Sequence, residues 1–271
     1  MSAPVTLEVV DGVAAVRFDR PERHNSLSLE MFEAIAATVD TIHQDPGIRV
    51  VVLAGNGASF CAGLDLELMR TMIGGGEAAA QTLARLMQRD DGSDNLAQHV
   101  AYGWKSAPVP VIAAVHGVAY GGGLQVALGC DIRIAAPDAK FSIMEARYGL
   151  IPDMSITATL PDLLPRDVAL ELTLTARVFD GREAHALGLV TRLADDPLAA
   201  ANELAATIAA RSPEAVRATK RLYNETWRAE AARGMRLEEA LQVPLIGAPN
   251  QREAVAAALE QRAPRFRDAA I

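Results

Sequence analysis

The hydrophobic and polar positions at the start of the chain predict a β-hairpin followed by an amphipathic helix. Val5–Val10 and Val13–Phe18 are β-prone runs, and the pair Asp11-Gly12 between them favours a two-residue hairpin turn. Ser28 is a candidate helix N-cap, because apolar residues recur at helical spacing after it. The predicted buried face of this helix consists of Met31, Phe32, Ile35, Val39 and Ile42.

Continuous apolar runs further along the chain predict three buried strands, Arg49–Ala54, Val109–Val115 and Cys130–Ala135. A short helix, which Gly121–Gly123 open, separates the second of these strands from the third. Strands that alternate with helices indicate an α/β fold with a mainly parallel sheet. From Asp153 onward the pattern is mostly helical. The other predicted elements are strand-like runs at Phe141–Met144 and Leu189–Leu193 and helical stretches at Ala199–Arg211 and Pro213–Arg233.

The segment Thr71–Lys105 differs from its surroundings. It contains the run Gly74–Gly76, a predicted helix around Ala78–Arg89 and the polar stretch Arg89–Asn95. Because it lies between two strand-like segments, we interpret it as a mobile cover over a site. A surface insertion without function is the alternative interpretation.

Composition narrows the class of protein. Half of the 271 residues are hydrophobic and only 4% are aromatic, which is typical of a globular, helix-rich protein. A net charge of −8 argues against a nucleic-acid partner. Cys61 and Cys130 form neither a metal pattern nor a disulfide framework. Because Met1–Val10 does not resemble a signal peptide and no run of 18 apolar residues occurs, we expect a cytoplasmic protein without a membrane span.

Two glycine-containing loops follow predicted strands, at Ser59–Asp65 and Ala119–Leu124. In an open α/β sheet, ligands bind beyond the carboxyl ends of the strands, so we expect both loops to face one crevice. Glycines allow backbone N–H groups to approach a ligand oxygen, and the second loop also opens a helix whose N-terminus favours negative charge. Neither loop fits the dinucleotide-binding or P-loop pattern.

Two acidic residues follow these loops. Glu145 comes directly after the apolar run Phe141–Met144, and Asp153 comes eight residues later. A carboxylate between this run and Leu150 is expected to be desolvated, and its raised pKa would suit a base that removes a proton from carbon. The spacing alone allows a helix-capping or surface acid equally well.

With these features, the chain resembles the crotonase superfamily, which is also called the enoyl-CoA hydratase/isomerase family. The resemblance rests on FCAGLDL, AAVHGVAYGGGLQVALGCDIRIA and AKFSIMEARYGLIPD. It extends to VVDGVAAVRFDRPERHNSLSLEM near one end and to LTARVFDGREAHALGLVTRL and EAVAAALEQRAPRF near the other. It therefore covers nearly the whole chain, and Thr71–Lys105 is the least similar part.

The resemblance implies a crotonase-like spiral of ββα repeats over residues 1–195. Residues 196–271 would be a C-terminal helical trimerisation region of the same structural unit. The expected assembly is a homotrimer or a dimer of trimers. The expected substrate is an acyl-CoA, so coenzyme A is part of the substrate and neither a separate cofactor nor a metal is implied.

The resemblance also assigns roles to residues of the two loops. The thioester oxygen would lie between the backbone N–H groups of Leu64 and Gly122, which would form an oxyanion hole. Ala62, Asp65 and Leu66 match positions that contact coenzyme A. Three further residues are interpreted as structural rather than catalytic, because the sequence places no catalytic base or other reacting group beside them: His116, Cys61 and Asp131.

The acidic positions indicate the reaction. Hydratases of this family activate a water with two glutamates; this chain has Gln125 at the first position and Glu145 at the second. Gln125 can bind but cannot deprotonate a water, so it is assigned to substrate binding. Asp153 matches an aspartate of the dienoyl-CoA isomerases, although those enzymes have a third acid where this chain has Gln125.

Three functions therefore remain open. The leading hypothesis is double-bond isomerisation of an enoyl- or dienoyl-CoA, with Glu145 as principal base and Asp153 as its acid partner. The second is hydration of a 2-enoyl-CoA by Glu145 alone. The third, from another class, is a non-catalytic acyl-CoA-binding subunit.

Overall fold

A computed structural model describes residues 3–89, 94–246 and 248–268. The strands in these residues are β1 (Val5–Val10), β2 (Val13–Phe18), β3 (Val50–Gly55), β4 (Val111–Val115), β5 (Val118–Tyr120), β6 (Ile132–Ala135), β7 (Lys140–Ser142), β8 (Phe179–Asp180) and β9 (Arg192–Leu193). The α-helices are α1 (Leu29–Gln44), α2 (Leu66–Gly74), α3 (Gly76–Leu86), α4 (Leu96–Ser106), α5 (Gly122–Gly129), α6 (Ile156–Thr159), α7 (Arg166–Thr175), α8 (Gly181–Leu187), α9 (Pro197–Ala209), α10 (Pro213–Thr226), α11 (Ala231–Leu245) and α12 (Pro249–Leu259).

The strands form two sheets. The larger has the order β1-β2-β3-β4-β6-β9, and the smaller has the order β5-β7-β8. In the larger sheet only the β1–β2 pair is antiparallel, which confirms the predicted hairpin and the mainly parallel sheet. The smaller sheet was not predicted, because its strands have only two or three residues and show no alternation of their own.

Helix α1 forms as the sequence predicts. The Ser28 hydroxyl accepts a hydrogen bond from the Met31 N–H at 3.2 Å and so caps the first turn. The predicted apolar face, which includes Ile35 and Val39, is buried against the core. Burial of this face rather than helix propensity stabilises the element.

The core continues on the other face of the larger sheet. There, Ala201 and Ala205 of α9 are fully buried and belong to one cluster with Val50 and Val52 of β3. Alanines four residues apart lie on one helix face, and their small side chains let the helix approach the strands closely. Helix α9 therefore packs onto the sheet, although it belongs to the region 196–271 that was predicted to follow the ββα spiral. The trimeric assembly stays a prediction.

The segment Thr71–Lys105 is only partly a cover. Helices α2 and α3 each bury a single residue, which fits an outer layer over the cavity described below. Helix α4 is different, because Val100 and Trp104 are fully buried and belong to the core. The prediction of a cover is therefore wrong for α4, whose apolar positions are the reason that it packs inward. Residues 90–93 of the predicted polar stretch lie outside the described residues.

None of the helices described for this chain is long and apolar enough to cross a membrane.

A buried lysine ties α10 to the core. The Lys220 ammonium donates to the Trp104 carbonyl at 3.0 Å, to the Val109 carbonyl at 2.8 Å and to Asp131 Oδ2 at 2.7 Å. Burial lowers the pKa of Lys220, and the charge of Asp131 opposes this shift. Asp131 Oδ2 also accepts the Val111 N–H at 2.7 Å, so its role is structural, as predicted.

We predict that Lys220→Met lowers the free energy of unfolding by about 3 kcal/mol, because it leaves a carboxylate and two carbonyls without their buried cation. Equilibrium unfolding in urea measures this change. The control is Arg221→Met, which breaks an exposed pair with Glu225 on the same helix and should cost less than about 1 kcal/mol. Equal losses in both variants would show that Lys220 contributes no more than a surface ion pair.

Candidate active site

A cavity of about 770 Å³ lies between the loop after β3, the start of α5 and the outer helices α2 and α3. Its wall is mostly apolar. Five of the eight methionines line it, namely Met69, Met72, Met87, Met144 and Met154. Such a cavity suits a largely apolar ligand, because methionine side chains are flexible and fill irregular space.

The two glycine loops meet at this cavity. The Cys61 N–H donates to the Val118 carbonyl at 3.0 Å, and the Tyr120 N–H donates back to the Cys61 carbonyl at 3.1 Å. Gly63 has a φ of +86°, and a methyl group added to it would lie 2.5 Å from the Tyr120 oxygen and 3.6 Å from the Gly122 nitrogen. A side chain at position 63 would prevent this approach, so the contact requires glycine. Residues of both loops line the same cavity, as predicted.

Leu64 and Gly122 line the cavity, and within the described part of the chain their backbone N–H groups donate no hydrogen bond. Neighbouring groups are paired: the Asp65 N–H donates to the Leu27 carbonyl at 3.1 Å, and the Gly121 N–H also has a carbonyl acceptor. Gly122 is the first residue of α5, where an N–H has no partner within the helix. Two unpaired donors on one wall can bind an oxygen that carries negative charge.

Glu145 begins a short 3₁₀ helix, Glu145–Tyr148, beside these loops. Its Oε1 accepts a hydrogen bond from Gln125 Nε2 at 2.6 Å, and a methyl group added to Gly121 would lie 3.3 Å from the same oxygen. Its Oε2 is buried and accepts no hydrogen bond from the described residues. Burial raises the pKa of Glu145, the Gln125 hydrogen bond lowers it, and the charge of Asp153 raises it; the net shift is upward.

Asp153 lines the same cavity, but its side chain is exposed to solvent. Partial desolvation nevertheless raises its pKa above the ordinary aspartate value. Among the residues that the structure describes, none forms an ion pair or a side-chain hydrogen bond with Asp153. The two predicted acids thus share one cavity and differ in exposure: Glu145 is half-buried, and Asp153 is exposed and can exchange protons with water.

The structure shows protein partners for Gln125. Its side chain is only 1% exposed, and its Oε1 accepts the Met154 N–H at 2.9 Å while its Nε2 donates to Glu145. Both ends of its amide thus bind protein groups, and its contact with substrate stays a prediction. Its position inside an apolar helix was the signal for burial, since a buried polar side chain requires partners.

Asp65, predicted to contact coenzyme A, holds the first loop in place. Its carboxylate accepts hydrogen bonds from the Ser26 hydroxyl at 2.8 Å and from the Glu67 N–H at 2.9 Å, and Arg20 lies 3.4 Å away. Burial raises the pKa of Asp65, but these donors and the charge of Arg20 outweigh burial, so the net pKa is lowered. Ser26 and Arg20 had no signal in the sequence, because they lie 39 and 45 residues before Asp65.

The remaining predicted residues lie in or near the two loops. Ala62 and Leu66 line the cavity, and Leu66 is 62% exposed at its edge; their contact with coenzyme A stays a prediction. His116 Nε2 lies 2.9 Å from the Gly57 carbonyl, which fits the structural role expected of it. Burial raises the pKa of the Cys61 thiol to about 12, which fits a packing residue rather than a nucleophile.

Comparison with known proteins identifies the family. A family model described as enoyl-CoA hydratase/isomerase matches residues 8–269. The chain belongs to this family. The (E)-benzylidenesuccinyl-CoA hydratase of Thauera aromatica is 36% identical over 269 residues, which cover 98% of this chain and 100% of that protein. The mitochondrial methylglutaconyl-CoA hydratase of Homo sapiens is 30% identical over 263 residues, which cover 94% of this chain and 74% of that protein.

Solved structures agree with the fold. The enoyl-CoA hydratase of Bacillus anthracis superposes with a TM-score of 0.86 at 29% identity and covers 97% of this chain and 98% of that one. DspI of Pseudomonas aeruginosa superposes with a TM-score of 0.85 at 30% identity, covering 98% and 97%. The crotonase-like fold is thereby confirmed. The protein is an enzyme of the family, which acts on CoA thioesters, so the non-catalytic alternative is set aside.

We predict that Gly63→Ala separates the two loops, because its methyl group would overlap the Tyr120 carbonyl. The variant should lose about 3 kcal/mol of unfolding free energy, from left-handed strain and overpacking together, and most of its activity on CoA thioesters. Gly149→Ala is the control. Gly149 also has a positive φ, of +70°, but an added methyl group would meet nothing within 4 Å, so we expect a loss of only about 1 kcal/mol. Full activity in Gly63→Ala would contradict the close loop contact as a requirement of the site.

Proposed function

We propose that the enzyme moves a double bond along the acyl chain of an unsaturated acyl-CoA, and that Leu64 and Gly122 bind the thioester oxygen during the reaction. One observation carries this proposal. Two unpaired backbone N–H groups line a cavity together with Glu145, a carboxylate whose pKa burial raises. A base beside an oxyanion site is what removal of a proton next to a thioester carbonyl requires.

In the first step, Glu145 takes a proton from the carbon next to the carbonyl of a 3-enoyl-CoA. The electron pair of the C–H bond forms a new carbon–carbon double bond, and the carbonyl oxygen becomes negatively charged. The N–H groups of Leu64 and Gly122 stabilise this oxyanion. One such donor is typically worth about 2.7–4 kcal/mol in the transition state.

In the second step, a proton returns to the chain two carbons further from the carbonyl. We assign this proton to Asp153, because it is the second acid that lines the cavity and its exposure lets solvent supply it with a proton. The oxyanion collapses to the carbonyl, and the double bond now lies next to it. The exposed Asp153 regains a proton from solvent and Glu145 releases one, so the enzyme returns to its starting state.

The wall of the cavity supports an apolar acyl group. Met69 and Met72 of α2 and Met87 after α3 line the cavity together with the acids. Burial of apolar acyl surface against them contributes about 25 cal/mol per Å².

Hydration of a 2-enoyl-CoA is the second candidate. It is favoured by the names of the relatives from Thauera aromatica and Homo sapiens, which are hydratases. In this hypothesis Glu145 activates the water alone, because the Gln125 amide cannot take a proton at neutral pH.

An absorbance assay distinguishes the two reactions. With 3-enoyl- or 3,5-dienoyl-CoA we expect a gain of the signal from conjugation with the thioester, whereas hydration would remove the signal of a 2-enoyl-CoA. Glu145→Gln should lower kcat by about 10²–10⁴-fold, because it removes the base. Asp153→Asn should lower isomerisation strongly.

Asp138→Asn, at an exposed acid outside the cavity lining, serves as the control and should keep full activity. If the absorbance of 2-enoyl-CoA falls and 3-enoyl-CoA gives no new absorbance, the proposed activity is hydration and not isomerisation. Full activity of Glu145→Gln would refute both mechanisms.

A further inference from the structure

We infer that Gln125 is a positioning residue for the base: its amide fixes the orientation of the Glu145 carboxylate and ties it to the chain segment that carries Asp153. This inference rests on the proposed function of Glu145. It assigns a role to a buried glutamine that is not among the described residues lining the cavity but binds two that are, Glu145 and Met154.

The orientation of the Gln125 amide is determined by its partners. A backbone N–H can only donate, so the atom that lies 2.9 Å from the Met154 nitrogen must be the amide oxygen. The amide nitrogen then faces Glu145 Oε1 at 2.6 Å. The reverse orientation would place two donors together at Met154 and an oxygen against the carboxylate. The amide is therefore locked as a donor toward the base.

This contact also limits what the carboxylate can do. Oε1 is held by Gln125, whereas Oε2 is buried and has no hydrogen-bond partner among the described residues. The unpaired oxygen is the more basic of the two, because no donor stabilises its charge. Without the Gln125 amide, the Glu145 side chain would lose the side-chain donor that holds its rotamer beside Gly121.

The same amide connects the two acids. Gln125 lies on α5, and its oxygen binds the N–H of Met154, the residue after Asp153. One side chain therefore joins the segment of the proposed acid to the carboxylate of the proposed base. Misplacement of reacting groups by about 1 Å can cost on the order of 10²-fold in rate, so such a tie affects catalysis without contact with the substrate.

Other ionisable groups line the same cavity as Glu145. Desolvation and the charge of Asp153 raise the pKa of Glu145, and Arg147 follows on the same 3₁₀ helix. The other ionisable residues of the lining include Glu22, Arg23, His24 and Asp65. The backbone N–H of Glu145 and the Gln125 donor both lower the Glu145 pKa, which favours the ionised base. Removal of the Gln125 donor should therefore raise the pKa further and shift the acid limb of activity to higher pH.

The test is Gln125→Met, which keeps an unbranched side chain but removes both hydrogen bonds. We expect kcat for isomerisation to fall on the order of 10²-fold with little change in KM, because the cavity is untouched. The acid limb of the pH profile of kcat/KM should move to higher pH. Independently of turnover, an infrared or ¹³C NMR titration should show a higher pKa for the Glu145 carboxyl, with Glu145→Gln used to assign its signal.

Ser142→Ala is the matched control. Its buried hydroxyl donates to the Ala176 carbonyl at 3.1 Å, so its loss removes a nearby buried hydrogen bond without touching Glu145. This variant should titrate as the unmodified enzyme does.

An unchanged Glu145 titration in a folded Gln125→Met protein, judged by circular dichroism, would overturn the inference. A shifted titration in an enzyme that does not isomerise would leave the inference standing and remove only the proposed function.

Discussion

The close contact between two backbones, at Gly63 and at Tyr120–Gly122, is the constraint on which the site depends. Because no side chain separates them, the loop after β3 can hydrogen-bond with β5 while Leu64 and Gly122 keep unpaired N–H groups at the cavity. Most buried backbone donors in proteins are paired. Two donors that face the cavity without a partner in the described part of the chain fit the oxyanion-binding role that we propose for them.

Around these donors the protein enforces a contrast between two acids. Glu145 is half-buried and held by Gln125, and Asp153 faces solvent. Desolvation, which is only partial at Asp153, raises the pKa of both. A base that must receive a proton benefits from partial burial, and an acid that must regain its proton benefits from access to water. Asp65 fixes the start of α2 and the loop that contains Leu64, because its carboxylate accepts hydrogen bonds from the Glu67 N–H and the Ser26 hydroxyl.

Local chemistry made much of this fold predictable from sequence. The Asp11-Gly12 turn and the Ser28 cap act over a few residues, and the hairpin and α1 occur as predicted. The positions of glycines and acids after the predicted strands indicated the two loops and both acids, and the family resemblance assigned roles to them. The Gln125–Glu145 contact and the smaller sheet were not predicted, because each depends on partners distant in sequence and leaves no periodic pattern. The burial of α4 was missed although Leu96, Val100 and Trp104 recur at helical spacing.

The central claim is that two amide N–H groups polarise the thioester carbonyl. The most direct measurement is infrared difference spectroscopy of an acyl-CoA with a ¹³C-labelled thioester carbonyl, bound to the Glu145→Gln protein so that it does not react. We expect the carbonyl stretch at a lower frequency in the complex than in water, because the N–H groups of Leu64 and Gly122 weaken the C=O bond. A frequency equal to or higher than that in water, with binding demonstrated, would contradict the claim.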